Sequence, residues 1–384
     1  MKGNIKAFDF QQKKIILILL VLLFLIALGQ QFYRLYFIFK QERFVDFYVY
    51  WEAAKLALKG GDFYQKLYFE GTPFNYPPTA LPFFSILSFF QKSVASLVLL
   101  AVSLSSLLAS IFLLIKLLFK KPERVFFFLL SSILFIQFFP TKFTLTLGQI
   151  NLVILFFITG SFYFFKKKKN TMAGIFLALA SLIKIFPAFL MLFYLKEKKK
   201  KTIFSFLFVC LLGILLTMIL LKPSSIFAYF GGVGKNLFFQ AGNLSYFDQS
   251  LNSFLMRLNL AADWRLLLRI VLSLFLANLF LKSKNKAFSF FGLAVMITIF
   301  FPSFVWLHHY VVLIPLMVVL FVKINNLSNF LLKALLLIGY FVCSLHFRNP
   351  KTLVNQNIIL ISHPFFGALI LIFLAMHSDK LEKL

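Results

Sequence analysis

The sequence predicts an all-α polytopic membrane protein. Of its 384 residues, 61% are hydrophobic, which is more apolar surface than a soluble core of this size can bury. Apolar stretches of about 20 residues, the length that crosses a bilayer as a helix, alternate with short basic runs. No polar region has the size of a soluble domain. We therefore expect residues 1–384 to form a single integral membrane domain.

The positive charge favours a membrane, not a nucleic acid, as the partner. The formal net charge is +28, but most of the excess lies in short runs between apolar stretches. Such runs are typical of cytoplasmic loops beside anionic lipids. We expect membrane lipid as a partner and no nucleic acid. The runs are Lys13-Lys14, Lys116–Arg124, Lys166–Lys169, Lys196–Lys201 and Lys282–Lys286.

The first element is predicted to be a retained membrane helix. Its apolar run, residues 15–39, is longer than the core of a signal peptide and shows no small-residue cleavage site. The lysines that precede this run predict a cytoplasmic N-terminus. Residues 40–92 would then form an outer loop, with a short juxtamembrane helix from Asp46 to Lys59 on the outer face.

Continued alternation predicts about ten crossings and a cytoplasmic C-terminus. A long polar loop, 222–265, would lie on the outer side, where a tight turn around Pro302–His309 would join two later spans. The crossings expected after the first are 94–119, 125–139, 149–165, 202–221, 266–281, 287–301, 307–322, 330–346 and 357–376.

Residues 172–195 interrupt this alternation, because one span's length of apolar chain has basic runs at both ends. Pro187 has no backbone N–H and disfavours helix at the residue before it. We therefore expect two half-helices that meet near Lys184 in a re-entrant hairpin, where an ionisable residue at membrane depth suggests a functional site. The alternative is a single span from which Lys184 snorkels to the surface.

Carboxylates are scarce and concentrated in one segment. Five of the 12 acidic residues lie in the first outer loop, and we expect a general base there first, at Asp46. A carboxylate with a pKa near the working pH can take a proton from an attacking hydroxyl. The alternatives are that Asp46 pairs with Arg43 or caps the helix that follows it. The five acids are Glu42, Asp46, Glu52, Asp62 and Glu70.

Cations and histidines share the predicted outer face with this loop. Lys184, Arg257 and the His308-His309 pair could hold a phosphate by charge and hydrogen bonding. Alternatively, Arg257 anchors the chain at the interface, and the histidines belong to an aromatic belt with Trp306. Adjacent histidines diverge on a helix, so we expect no metal site.

Two further polar motifs lie on the same side. Asn75-Tyr-Pro-Pro78 could break a helix before an apolar stretch, and Gly148-Gln-Ile-Asn151 could join helices by hydrogen bonding. Each motif has this structural interpretation when it is taken alone. A carboxylate near an anion clamp in a membrane suits group transfer from a lipid phosphate.

The ordered set of motifs resembles glycosyltransferase family 87, the polyprenol-phosphate-mannose-dependent mannosyltransferases of the GT-C superfamily. The chain departs from the family at Phe301-Pro302, where Ser-Pro is common, and at Asp248-Gln-Ser250, where Asn-Gln-Ser is common. The matching stretches are Asp46-Phe-Tyr-Val-Tyr-Trp-Glu-Ala-Ala54 with Gly60 and Tyr64, Phe74-Asn-Tyr-Pro-Pro78, Gly148-Gln-Ile-Asn151, Gly174 with Lys184 and Pro187, Gln249-Ser-Leu251 with Arg257, and Pro302-Ser-Phe-Val-Trp-Leu-His-His-Tyr310.

The resemblance implies a GT-C-type fold and an inverting transfer of a hexose, mannose in this family. The donor would be a polyprenyl-phosphate sugar and the acceptor a glycan or glycolipid, at the non-cytoplasmic face of the cell membrane, with no metal and no cofactor. Asp46 would be the general base. The donor phosphate would be bound by Lys184, Arg257, His308 and His309. The residues expected to bind substrate are Tyr50, Tyr76, Gln149, Asn151, Gln249 and Trp306.

Two other functions use the same features. A transporter or flippase for a lipid-linked or anionic substrate would need an anion site and a broken helix. It would also need access from both faces, and internal repeats are common in transporters but not evident in this sequence. A non-catalytic assembly subunit would explain the apolar bulk, but not the polar cluster.

Overall fold

The protein is all-helical in the residues that the computed structural model describes, which are 10–221, 224–235, 237, 242–325, 329–347 and 357–381. Within those ranges the only β-type pairing is an isolated bridge between Asp248 and Trp306. The predicted all-α class is therefore confirmed.

The helices range from 4 to 31 residues in length, and several are continued by 3₁₀ or π segments. The α-helices are α1 (Phe10–Lys40), α2 (Val45–Leu58), α3 (Phe63–Phe69), α4 (Leu81–Ser88), α5 (Lys92–Leu118), α6 (Arg124–Gln137), α7 (Phe139–Leu147), α8 (Asn151–Lys166), α9 (Asn170–Ile183), α10 (Met191–Lys196), α11 (Lys200–Leu220), α12 (Ser224–Ala228), α13 (Leu251–Arg257), α14 (Ala262–Lys282), α15 (Lys286–Val295), α16 (Leu313–Asn325), α17 (Phe330–Ser344), α18 (Ile358–Ile361) and α19 (His363–Leu381). The 3₁₀ segments are Pro78–Ala80, Lys121–Glu123, Phe186–Leu190 and Leu307–Val312, and the π segments are Tyr229–Val233 and Met296–Phe300.

The long apolar helices are those of a multi-pass membrane protein. In the described part of the chain, five stretches are long and apolar enough to cross a membrane. α6 and α7, which are bent by 63° relative to each other, add a sixth if they form one broken span. Other predicted crossings coincide with apolar helices of 10–17 residues, about 15–25 Å long, whereas the hydrocarbon core is about 30 Å thick. The count of ten crossings stays a prediction. The five stretches are Lys14–Lys40, Lys92–Leu118, Lys200–Leu220, Ala262–Lys282 and Leu307–Ile324.

Burial separates the central helices from the peripheral ones. The span Leu307–Ile324 is mostly enclosed by protein, while α1 and α11 are mostly exposed. Within the bundle, α8 packs against α5 and α9, and α16 packs against α15 and α19. The exposed apolar faces of α1 and α11 are the faces that a bilayer would cover.

The bend between α6 and α7 brings the chain back towards α2. Pro140 lies in the first turn of α7, where its missing N–H breaks no helical hydrogen bond. α7 ends at Gly148, whose φ of +67° is left-handed. A Cβ atom on Gly148 would lie 2.7 Å from the Cβ atom of Phe47 on α2, so only glycine fits this turn. The residue that follows, Gln149, therefore lies beside the first turn of α2.

The helix break predicted near Lys184 is present. α9 ends at Ile183, Lys184 is extended with φ −147° and ψ 128°, and Pro187 lies in the first turn of the 3₁₀ segment that leads into α10. The Thr79 hydroxyl donates a 2.7 Å hydrogen bond to the carbonyl of Leu182, one of the carbonyls that a helix end leaves without an internal partner. The re-entrant course of the hairpin stays a prediction.

Candidate active site

A cavity of about 470 Å³ lies where the first turn of α2, the 71–77 loop, the α7–α8 turn, the break after α9 and the 304–309 segment meet. These five segments are far apart in the sequence, and each carries one of the motifs identified above. The predicted site residues on the cavity wall are Asp46, Tyr50, Tyr76, Gln149, Lys184, Trp306, His308 and His309.

Asp46 is partly buried in the first turn of α2. The N-cap of this helix is Phe44, and no side chain caps the helix, so Asp46 is not the capping residue. Its Oδ2 atom instead accepts a 2.6 Å hydrogen bond from Nε2 of Gln149. The carboxylate is thus held at the cavity wall by an amide from the α7–α8 turn.

Two buried tyrosines extend this hydrogen bond into a chain. The Tyr76 hydroxyl donates to Oε1 of Gln149 over 2.8 Å, and the hydroxyls of Tyr50 and Tyr76 are 2.8 Å apart. The Tyr64 hydroxyl donates a 2.7 Å bond to the main-chain carbonyl of Tyr76, which fixes the loop that carries this residue.

Burial raises the pKa of Asp46 to about 6, while the hydrogen bond from Gln149 and the positive charge of Lys184 act to lower it. An unperturbed aspartate has a pKa of about 3.9. A carboxylate with a pKa near 6 is mostly ionised at neutral pH and is a stronger base than an ordinary aspartate. These are the properties that a general base needs.

Lys184 projects into the same cavity from the helix break. Its Nζ atom donates to Oδ1 of Asn151 over 3.2 Å, contacts Nε2 of His309, and lies 5.5 Å from the centre of the Tyr76 ring. Nδ1 of His309 is 3.0 Å from the carbonyl of Trp306, which assigns the ring proton to Nδ1 and leaves Nε2 to accept from the lysine. Two of the three ammonium N–H groups are thereby used, and the third is available to an anion.

Asn151 lies behind the lysine, off the wall of the main cavity. Its amide nitrogen is 3.4 Å from the carbonyl of His308, while its oxygen binds Lys184. It lines a small apolar pocket of about 30 Å³ that shares Lys184, Phe186 and His309 with the main cavity. Asn151 therefore connects the lysine to the segment that carries the histidines.

His308 is buried against aromatic rings. Its ring is nearly parallel to that of Trp306, with centroids 6.2 Å apart, and stacks on Phe143 with centroids 6.0 Å apart. Its Nδ1 atom is buried and has no hydrogen-bond partner among the described residues. His308 also lines the cavity, so the surrounding protein leaves this nitrogen able to bond to a group bound there.

Arg257 and Gln249 do not line the cavity. The guanidinium of Arg257 donates to the Ser362 hydroxyl over 2.9 Å and to the carbonyl of Ser245 over 2.8 Å. The amide of Gln249 donates to the carbonyls of Tyr246 and Ile361 over 2.6 and 2.7 Å. Both side chains are buried and hold the 245–249 segment together.

Three aromatic residues of the cavity wall were not predicted as site residues from the sequence: Phe186, Tyr229 and Phe304. Phe304 lies within the Pro302–Tyr310 motif and Phe186 lies between Lys184 and Pro187, so these positions could have indicated both residues. Tyr229 lies in the predicted outer loop 222–265 and belongs to none of the motifs. Among the described residues, no group of three or more His, Cys, Asp or Glu side chains is arranged to hold a metal ion.

Comparison with known protein families identifies a relationship for most of the chain. The model of glycosyltransferase family 87 matches residues 74–347, which is well over half of the chain. The matched range contains Tyr76, Gln149, Lys184 and the two histidines, and it begins after Asp46. No curated protein matches the chain. The family match confirms the resemblance inferred from the motifs and supports sugar transfer in preference to transport.

Proposed function

The chain belongs to glycosyltransferase family 87, and we propose that it transfers a hexose, mannose by family resemblance, from a polyprenyl-phosphate donor to an acceptor hydroxyl. The reaction takes place at the non-cytoplasmic face of the cell membrane and inverts the anomeric centre. The observation that carries this proposal is that a carboxylate with a raised pKa, Asp46, and a half-buried cation, Lys184, line the same cavity. A base and an anion clamp are the two groups that this reaction needs.

In the proposed reaction, Asp46 accepts the proton of the acceptor hydroxyl as its oxygen attacks the anomeric carbon. The new carbon–oxygen bond forms on the face opposite the bond to phosphate, so the configuration inverts. The bonding electron pair leaves with the phosphate oxygen, and the product is polyprenyl phosphate. The negative charge that remains on the phosphate needs a cation or hydrogen-bond donors close by.

Lys184 supplies the charge in this scheme. Its third N–H group is directed to the phosphate, while Asn151 and His309 hold the other two. His308 adds a donor at Nδ1, an atom with no hydrogen-bond partner in the described part of the chain. Arg257 enters the proposal as a residue that holds the 245–249 segment, because its guanidinium is bound to carbonyls and to Ser362.

The first test is the reaction of purified protein with polyprenyl-phosphate mannose, measured as released polyprenyl phosphate. We expect Asp46→Asn to lower the rate by roughly 100-fold or more, the range for loss of a general base. Burial raises the pKa of Asp46 in the folded state to about 6. The protonated Asp46 carboxyl therefore makes its full contribution to the stability of the fold below the unfolded pKa, and this contribution is lost as the pH rises through about 6. At neutral pH the neutral asparagine should therefore not lower thermal stability.

Asp62→Asn is the matched control. Asp62 lies in the same predicted loop and caps α3 by accepting from the backbone N–H of Gln65 over 3.0 Å, a role that asparagine also fills. We expect this variant to keep wild-type turnover. Near-normal release of polyprenyl phosphate by Asp46→Asn would overturn the assignment of the base.

A further inference from the structure

We infer that Tyr50 and Tyr76 are positioning residues, which fix the orientation of the Gln149 amide and through it direct an N–H group at the Asp46 carboxylate. This inference rests on the proposed function. It also changes the role expected for these residues from the motifs, which was to bind substrate.

The direction of the hydrogen-bond chain follows from the Tyr76 hydroxyl, which has a single proton to donate. That proton is directed to Oε1 of Gln149, 2.8 Å away. The Tyr76 oxygen is then left to accept from the Tyr50 hydroxyl, also 2.8 Å away. The chain therefore runs from Tyr50 through Tyr76 to the Gln149 amide.

This direction selects one of the two possible orientations of the amide. The oxygen and nitrogen of a glutamine side chain occupy equivalent positions, and only the hydrogen-bond partners distinguish them. A flipped amide would place Oε1 at 2.6 Å from Oδ2 of Asp46, where two acceptors repel each other when the carboxylate is ionised. Because Tyr76 donates to Oε1, Nε2 faces Asp46.

Burial supports a positioning role for the two tyrosines. Tyr50 is 1% exposed and Tyr76 is 6% exposed. The Tyr50 ring stacks on Phe84, with centroids 4.4 Å apart and an interplanar angle of 12°. The Tyr76 hydroxyl already has two protein partners, Tyr50 and Gln149, so its main hydrogen-bonding capacity is used inside the protein.

Charged and titratable groups face Asp46 from several of the elements around the cavity. Lys184 acts from the helix break, and Tyr50 and Tyr76 act from α2 and the 71–77 loop. His308 and His309 line the same cavity from the 304–309 segment. Of these groups, only the tyrosines act on Asp46 through Gln149, so a change at Tyr76 leaves the charge of Lys184 in place.

The test is the pH dependence of kcat for Tyr76→Phe with polyprenyl-phosphate mannose. Loss of the Tyr76 donor frees the Gln149 amide to turn, which removes a hydrogen bond from the ionised carboxylate. A hydrogen bond to a charged group corresponds to about one to two pKa units. We therefore expect the acidic limb of the kcat profile to move upward by about one to two pH units, with donor and acceptor KM changed less than about two-fold.

Tyr64→Phe is the matched control for loss of a buried hydroxyl in the same aromatic group. The Tyr64 hydroxyl donates to the main-chain carbonyl of Tyr76 and not to the Tyr76 hydroxyl, which still donates to Gln149. Loss of the Tyr64 hydroxyl should therefore leave the acidic limb in place. Gln149→Glu is a second variant, because an ionised glutamate accepts from Tyr76 but cannot donate to Asp46. We expect its acidic limb to move further upward, since a like charge faces the base.

The outcomes separate this inference from the proposed function. No release of polyprenyl phosphate by the wild type would refute the proposed function. A wild type that turns over, with Tyr76→Phe showing an unmoved acidic limb and a raised KM, would instead assign Tyr76 to substrate binding and overturn the positioning role. If Tyr76→Phe does not fold, the same profile is measured for Tyr50→Phe, whose lost hydroxyl leaves the Tyr76 proton free to turn away from Gln149. An unmoved acidic limb in that variant also overturns the positioning role.

Discussion

At the scale of single residues, Lys184 depends on its neighbours for its orientation. Asn151 and His309 accept two of its N–H groups, and the neutral His309 ring is itself held by the carbonyl of Trp306. The ammonium group is therefore fixed before any ligand binds. A fixed charge costs less to organise around a phosphate than a flexible one.

This geometry predicts the effect of Lys184→Gln on donor binding. Glutamine can keep a hydrogen bond to Asn151 but has no positive charge. We expect the KM for the polyprenyl-phosphate donor to rise by about 10- to 100-fold, as for loss of a charge-assisted hydrogen bond. The acceptor KM should change little, because the acceptor hydroxyl faces Asp46.

Lys55→Gln is a suitable comparison for that measurement. Lys55 lies on α2, the helix of the proposed base, and its Nζ atom is 3.7 Å from the centre of the Trp51 ring, away from the cavity wall. The substitution removes the same charge, and the donor KM should stay at the wild-type value. An equal rise in donor KM for both variants would show a general charge effect and contradict the phosphate role of Lys184.

Site residues were predictable from the sequence where the signal was local, and not where their position depends on contacts with distant parts of the chain. Asp46 could be predicted because acidic residues are scarce and concentrated. Arg257 could not be placed, because its partner Ser362 lies 105 residues further along the chain. A cation next to a motif can face the cavity or support the backbone behind it, and only tertiary packing decides between these positions.

At the scale of the elements, the turns between helices determine the geometry of the site. Pro187 made the break at Lys184 predictable, because proline restricts the backbone locally. The 63° bend between α6 and α7 was not predicted as a bend, although Pro140 marked the end of the expected span. Proline shows that a helix starts or stops, but the direction of the next helix depends on what it packs against.

Gly148 gives the sharpest prediction at this scale. Gly148→Ala combines a left-handed φ of +67° with a Cβ atom 2.7 Å from that of Phe47. We expect a loss of stability of about 1–2 kcal/mol from the backbone and a further 1–3 kcal/mol or so from overpacking. Because the turn carries Gln149, transfer activity should fall as well. Thermal unfolding in detergent and the rate of polyprenyl phosphate release measure the two effects.

Gly71→Ala separates the two contributions. Gly71 has a similar φ of +73°, but no atom lies within 4 Å of the position that its Cβ would occupy. This variant should lose only the backbone contribution, about 1–2 kcal/mol. Equal losses of stability for Gly71→Ala and Gly148→Ala would contradict the close contact between α2 and the α7–α8 turn.

At the scale of the whole molecule, the cavity and the basic runs lie on different parts of the chain. The cavity is lined by the start of α2, the 71–77 loop and the 304–309 segment, and the topology predicted from the sequence would place all three on the outer side. The turns after α8 and α10 carry Lys166–Lys169 and Lys196–Lys201, which the positive-inside tendency places in the cytoplasm. A lipid-linked donor would then reach the site from the outer leaflet.

Labelling of single cysteines from one side of the membrane tests this arrangement. After Cys210 and Cys343 are replaced by serine, Asn75→Cys and Lys167→Cys provide two exposed positions, one on the cavity wall and one in the turn after α8. We expect a membrane-impermeant maleimide to label Asn75→Cys in right-side-out vesicles and Lys167→Cys only in inverted ones, because the two positions would lie on opposite faces. Labelling of both from the same side would contradict the predicted topology, and the reverse pattern would place the site on the cytoplasmic face.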